Sequence, residues 1–384
     1  MGTALRSQFM LDPNVCYLNH GAYGAVPRPV YDRYLEWMRL FEAEPVDFLS
    51  RHGEERLAES RHILAEYLGT QRDNIVYVQN GTVGLNIIAR NMKLGPNDEM
   101  LTTNQEHGGV DRMWRYFASQ RGFAYKKVPL PIPVPTHAEF VEQFWSQVNP
   151  RVRLIFISHI TSLSGLILPV EEICRRAREA GITTIVDGSH APGQIPLDLD
   201  AIGSDFYVGI THKWLCAPRG SAFMFARPEV QHLLEPLVLS WGWEPKQPGP
   251  SQFVDRHQWQ GSRDISPFLT VPAAIAFQQK NNWDLVRKEC HELALEAQQR
   301  VSETVGEPPF QSIAGAKEWF AQIACVFLPQ HIDPIPFRDK LRYEHGIDVS
   351  IDVVYDQPRM RISVQGYNSP DDIDHLVRAL AKSL

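Results

Sequence analysis

The sequence predicts an α/β fold: a large domain built on a mostly parallel sheet covered by helices, and a smaller α+β C-terminal domain. Three observations carry this. Strand-like runs alternate with helical patterns from about residue 70 to residue 225, without repeats or low-complexity segments. Ile182-Thr183-Thr184-Ile185-Val186 is continuously apolar or β-branched, the pattern of a strand buried on both faces of a parallel sheet. At 384 residues the chain exceeds the usual single-domain size.

The elements follow in order. Ile75-Val76-Tyr77-Val78 reads as a strand, and Gly81-Thr82-Val83-Gly84 opens a helix whose apolar face runs through Leu85, Ile88 and Ala89. Backbone N–H groups at that helix start suit a phosphate, with Thr82 adding a hydroxyl; an ordinary Gly-Thr turn is the competing reading. Met100 to Thr103 forms the next strand, followed by His107 and a helix carrying Met113, Trp114 and Phe117. The run 182–186 delivers Asp187 to its C-terminal edge, where open α/β sheets bind ligands. Phe206-Tyr207-Val208 and Ser221 to Phe225 are strands flanking Thr211-His212-Lys213.

Glu244 to Ser251, rich in proline and glycine, forms a loop. After Pro272 a long helical pattern continues to about residue 304, then a strand from Ile323 to Leu328, a helix near 336–345, and the alternating strand Met360-Arg361-Ile362-Ser363-Val364. The expected division is an N-terminal segment, 1–18, packed with the small domain, a large domain, 19–260, and a small domain, 261–384.

Lys213 and Asp187 together suit pyridoxal 5'-phosphate. An aldehyde cofactor needs a lysine amine to hold it as a Schiff base, and its pyridine nitrogen needs a carboxylate to stay protonated as an electron sink. A lysine lodged between two buried strands is desolvated, which lowers its pKa and frees the amine. Thr211 and His212 then offer donors to the cofactor phosphate.

These residues resemble the class V branch of the fold-type I pyridoxal-phosphate enzymes, and within it the isopenicillin N epimerase-like subgroup. The resemblance runs almost the length of the chain. It covers the segment from Tyr17 to Pro29, which includes His20 and Tyr23, and then Gln79-Asn80-Gly81-Thr82, Glu106-His107-Gly108 and Thr161-Ser162-Leu163-Ser164-Gly165. It continues through Asp187-Gly188-Ser189-His190, Thr211-His212-Lys213, Trp259-Gln260-Gly261-Ser262-Arg263-Asp264 and Arg361-Ile362-Ser363 with Tyr367-Asn368. Each motif alone is weak; their shared order is the signal.

The resemblance implies a role for each. Lys213, His107 and Asp187 act in catalysis, the His107 ring stacking on the cofactor's pyridine, where similar proteins often carry tyrosine. His190 and Ser162 lie where related desulfurases have glutamine and asparagine, which implies polar contacts to the cofactor's phenolic oxygen. Arg361 grips the substrate α-carboxylate through its planar fork. Gly261-Ser262 resembles the Gly-Thr pair that reaches the phosphate of the neighbouring subunit's cofactor, which implies a homodimer with a shared active site.

Composition agrees with a soluble enzyme, and a small amino-acid substrate is what the resemblance implies. Hydrophobic residues make up 43% and charged residues 22%, ordinary globular values. A net charge of −7 argues against nucleic-acid or anionic-membrane partners. No apolar segment has the length of a membrane span and the first residues lack a signal-peptide core, so a cytoplasmic location is expected. The five cysteines, at 16, 174, 216, 290 and 325, are scattered and read as reduced thiols, and no histidine pattern suggests a metal.

The reaction is less legible. An epimerase-like enzyme would use Lys213 to remove the Cα proton, with Tyr23 or His20 as partners on the opposite face. A C–S β-lyase begins with the same abstraction, and an aminotransferase is a third option. A persulfide-relaying desulfurase is disfavoured, because residues 343–360 hold no cysteine and Cys325 lies in an apolar strand.

Overall fold

The computed structural model describes residues 5–310 and 316–384. The first four residues of the expected N-terminal segment therefore lie outside the described residues. Seven strands form the main sheet: β1 (Ile75–Val78), β2 (Glu99–Thr103), β3 (Ala124–Val128), β4 (Val152–Ser158), β5 (Thr183–Gly188), β6 (Phe206–Ile210) and β7 (Ala222–Ala226). Their order is β1-β7-β6-β5-β4-β2-β3. Neighbours are parallel from β6 to β3, whereas β7 runs antiparallel to both β1 and β6.

Strand side chains alternate between two apolar layers, as the period of two demands. Val76, Met100, Leu154, Phe156, Ile185, Val208 and Met224 join the core on one face. Tyr77, Leu101, Ile155, Ile157, Val186, Tyr207 and Phe223 join the core on the other. With both faces covered, the apolar runs read from the sequence are those of strands buried on both faces, the edge strand β1 included.

The second sheet has order β9-β10-β8, all antiparallel, from β8 (Ile323–Phe327), β9 (Ser350–Val354) and β10 (Gln357–Ser363). Helices Trp283–Val305 and Pro370–Ser383 pack together, and the first of them also covers β8. The N-terminal pair Cys16–Tyr17 lies parallel to Ile347–Asp348, and Ser363 N–H donates to the Leu18 carbonyl, so the start of the chain joins the C-terminal half. Helices Ser266–Leu269 and Val271–Lys280, however, pack against Arg28–Ala43 and Gly53–Tyr67. We propose that the large unit extends to about residue 281 instead of ending at 260.

The two parts meet through the β9–β10 turn, where Tyr355 and Asp356 both take positive φ, 54° and 60°. This turn brings the Tyr355 hydroxyl to the large sheet's edge. It accepts from Gln105 Nε2 at 2.6 Å and donates to the Leu130 carbonyl at 2.7 Å. Among the described residues no helix is long and apolar enough to cross a membrane.

Candidate active site

The C-terminal ends of β4, β5 and β6 and the start of helix Gly81–Asn91 surround a cavity of about 200 Å³. Strand β5 delivers Asp187, which is buried and pairs in register with Ser158 of β4 and Val208 of β6. Ser189 turns back on it, its N–H donating to Asp187 Oδ1 at 2.9 Å and its hydroxyl at 2.5 Å. An Asx-type turn of this kind ends the strand and fixes the carboxylate.

Strand β6 runs into the loop bearing Thr211, His212 and Lys213. The Thr211 hydroxyl is committed to Ser221, whose carbonyl and hydroxyl oxygens lie 2.9 and 2.6 Å away, and Thr211 is not part of the cavity wall. His212 lines the cavity while its Nδ1 meets the Ser221 carbonyl at 3.1 Å. Lys213 also lines the cavity, and its Nζ lies 3.0 Å from His190 Nε2. Burial, reinforced by the Arg361 guanidinium and opposed by Asp187, pushes the Lys213 amine down to about 7.

Gly24 explains how the N-terminal segment reaches this loop. Its φ is +70°, and a Cβ there would stand 2.1 Å from the His212 carbonyl oxygen. The close approach seats Ala22 and Tyr23 on the cavity wall; Tyr23 is 70% exposed, at its mouth. His20 goes elsewhere. It is fully buried, with Nδ1 2.9 Å from the Tyr367 hydroxyl and Nε2 3.0 Å from the Lys213 carbonyl, and desolvation lowers it to about 3. Of the three sequence candidates for substrate contact, Tyr23 lines the cavity, whereas His20 and Arg361 are not part of its wall.

The opposite wall holds Gly81, Thr82, His107 and Ser162. Asn80 caps the helix by accepting from Val83 N–H at 2.9 Å, and a Cβ on Gly81 would come within 2.9 Å of Ser189 Oγ. The glycine thus leaves room between a positive helix end and the Asp187 turn. His107 caps helix Gly108–Arg121 through Nδ1, which accepts from Gly109 N–H at 3.2 Å, and burial lowers its pKa.

Arg361, on β10, is buried and donates to the Ser162 carbonyl. Its Nε has no hydrogen-bond partner among the described residues, and burial lowers the guanidinium to about 10. Gly261 and Ser262 lie outside the cavity wall, and Ser262 is exposed.

Two participants carried no assigned role in the sequence reading. Glu106 is buried beside His107 and accepts from the Thr103 hydroxyl at 2.7 Å and the Ser158 hydroxyl at 2.6 Å; burial raises it to about 7. Trp214, fully buried, donates its indole N–H to His190 Nδ1 at 3.2 Å. The adjacency of Glu106 to His107, and of Trp214 to Lys213, was the available signal.

An amine, a carboxylate and a helix N-terminus around one cavity form the donor set that an aldehyde-bearing, phosphorylated pyridine requires, so these residues fit pyridoxal phosphate. A family model described as aminotransferase class-V matches residues 16–376.

The chain belongs to the aminotransferase class-V family.

Among relatives of this family member, isopenicillin N epimerase of Amycolatopsis lactamdurans is 35% identical, over 98% of this chain and 96% of that protein. A putative L-cysteine desulfhydrase 1 of Oryza sativa subsp. japonica is 27% identical, over 97% of this chain and 83% of the other. A solved structure described as a C-DES mutant with glycine covalently linked to its PLP cofactor superposes with a TM-score of 0.86 at 19% identity, covering 99% of both chains. At that identity the likeness establishes the fold of this class-V member and no more.

Proposed function

We propose that this class-V member is a pyridoxal-phosphate enzyme that removes the Cα proton of an amino-acid substrate, as an isopenicillin N epimerase-like isomerase. The observation that carries the reading is the Lys213 amine, which shares one cavity with Asp187 and is pushed by burial down to about 7, so that it is largely uncharged above that pH. The 35% identical epimerase supports it. When bound, the cofactor supplies a sink for the electron pair left at Cα.

The chain supplies the rest. Lys213 holds the aldehyde and moves the Cα proton. Asp187 keeps a proton at the ring nitrogen. The N-terminus of helix Gly81–Asn91, Thr82 and His212 hold the phosphate, while His107 covers the ring. His190 and Ser162 hold the phenolic oxygen, and Arg361 orients the substrate carboxylate, which selects the Cα bond that breaks. Tyr23, at the cavity mouth, returns a proton to the other face. Ser262, exposed and away from its own chain's cavity, suits a contribution to a second copy's site, which supports a homodimer with a shared active site. The reading includes a cytoplasmic enzyme.

The L-cysteine desulfhydrase relative favours a second reading, a C–S β-lyase. Both begin with the same abstraction and differ in whether a sulfur leaving group departs from Cβ. Proton NMR of the cofactor-loaded protein in D₂O with L-amino acids, cysteine and its S-conjugates separates them. Exchange at Cα with appearance of the D-isomer supports epimerisation, whereas pyruvate with a released thiol supports lysis and overturns the first reading.

A further inference from the structure

The nitrogen at the end of the Lys213 side chain faces an imidazole whose hydrogen-bonding sense is set from behind. Indole Nε1 can only donate, so the 3.2 Å contact from Trp214 makes His190 Nδ1 an acceptor. A neutral imidazole has one N–H, and with Nδ1 occupied as acceptor it must be at Nε2. That N–H points to Lys213 Nζ at 3.0 Å. An amine can accept it through its lone pair; an ammonium has none.

We propose that Trp214 is a positioning residue that locks His190 in the Nε2–H tautomer and so presents a hydrogen-bond donor to the Lys213 nitrogen. The chain Trp214, His190, Lys213 then runs in one donor direction, and it favours the uncharged lysine. The same Nε2–H is the donor that a phenolic oxygen beside the amine would receive. This rests on the reading of Lys213 as the amine that carries the cofactor.

The lock is rigid. The Trp214 carbonyl accepts from Gln278 Nε2 at 2.9 Å, and its rings lie 4.9 Å from His20 between centroids. On the other side, Gln194 Nε2 donates to the His190 carbonyl at 2.8 Å. The charged and titratable groups facing His190 are Lys213, Arg361, His107 and His20, and those facing Lys213 are Arg361 and Asp187. Burial first, and then the Arg361 guanidinium and any charge on Lys213, hold the His190 pKa well below the ordinary value, so the neutral ring persists.

The test is nitrogen NMR of the full chain labelled with ¹⁵N-histidine, the His190 signals being identified by their loss in His190→Gln. The native protein should show a protonated Nε2 and a pyridine-like Nδ1 across neutral pH. In Trp214→Phe, which keeps an aromatic ring without the N–H, the Nδ1–H form should gain population. The pH midpoint for acylation of Lys213 by acetic anhydride, read by peptide mass spectrometry on the unloaded protein, should then rise by about one unit, the worth of one ordinary hydrogen bond.

A native spectrum with the proton on Nδ1 overturns the proposal, whether or not Trp214→Phe folds. So does a Trp214→Phe protein with unchanged tautomer and unchanged midpoint. Neither readout depends on turnover, so failure of the functional reading would show separately, as an active Lys213→Ala enzyme.

Discussion

Asp187 receives both the backbone N–H and the hydroxyl of Ser189, and both fall on Oδ1. One edge of the carboxylate is thus held by the turn that ends β5, and the group faces a cavity it shares with Lys213. Asp187→Asn keeps the shape and removes the charge. It should lower kcat/KM by about 100-fold or more, the scale of losing an electrostatic contact to developing charge. Ser189→Ala leaves the charge and one of two anchors, and should cost about tenfold. Steady-state kinetics on the substrate found by NMR checks the ranking; equal effects would mean that Ser189 acts through folding.

Lys213→Ala should abolish both the imine absorbance of the loaded protein and turnover. The native amine, lowered from 10.5 to about 7, is neutral above the lower value, so capture of pyridoxal phosphate should accelerate through about pH 7 and level off well before pH 10.5. Stopped-flow absorbance gives this profile directly, and a midpoint near that of an ordinary lysine would contradict the burial argument.

Much of this site was legible in the sequence because strand ends are local. The β-branched run 182–186 announced a two-sided strand, and a strand's C-terminal edge is where its next polar residue must emerge, so Asp187 could be placed from its neighbours. Lys213 followed from the two apolar runs that flank it. The antiparallel setting of β7 was not legible, because Ala222–Ala226 is apolar on both faces whichever way it runs. The short loop from Thr211 to Ser221 decides it, leaving no room for a crossover helix. Contacts distant in sequence, such as Arg361 on the Ser162 carbonyl, depend on how two sheets meet and leave no periodic trace. Motif order flagged His20 and Tyr23 alike, yet the turn at Gly24 exposes one and the packing on Tyr367 buries the other.

Glu106 should make the fold pH-sensitive. Burial raises its folded pKa from 4.5 to about 7, so the folded state binds the proton more tightly than the unfolded state. The associated stability is fully present below pH 4.5 and is lost as pH rises through about 7. The rise corresponds to an upper bound of about 3.5 kcal/mol. Glu106→Gln cannot titrate, and its denaturation midpoints should lack this fall across the window. A native-like pH slope in Glu106→Gln would assign the effect to another group.

Tyr23 bears on which reaction the site performs. Epimerisation requires a proton to return to the face of Cα opposite the one from which Lys213 took it, so a second donor must reach the cavity. His20 is excluded from that role by full burial and by the commitment of both ring nitrogens to Tyr367 and the Lys213 carbonyl. Tyr23 lines the cavity at its mouth and carries a hydroxyl that Tyr23→Phe removes without changing the ring. That variant should still exchange the Cα proton of an L-amino acid for deuterium, because Lys213 can take it and return it on one face. It should form the D-isomer about 100-fold more slowly, the usual worth of a positioned proton donor. Deuterium incorporation and chiral chromatography on the same samples measure the two rates. Equal loss of both would place Tyr23 in substrate binding, and unchanged D-isomer formation would remove it from the proton path.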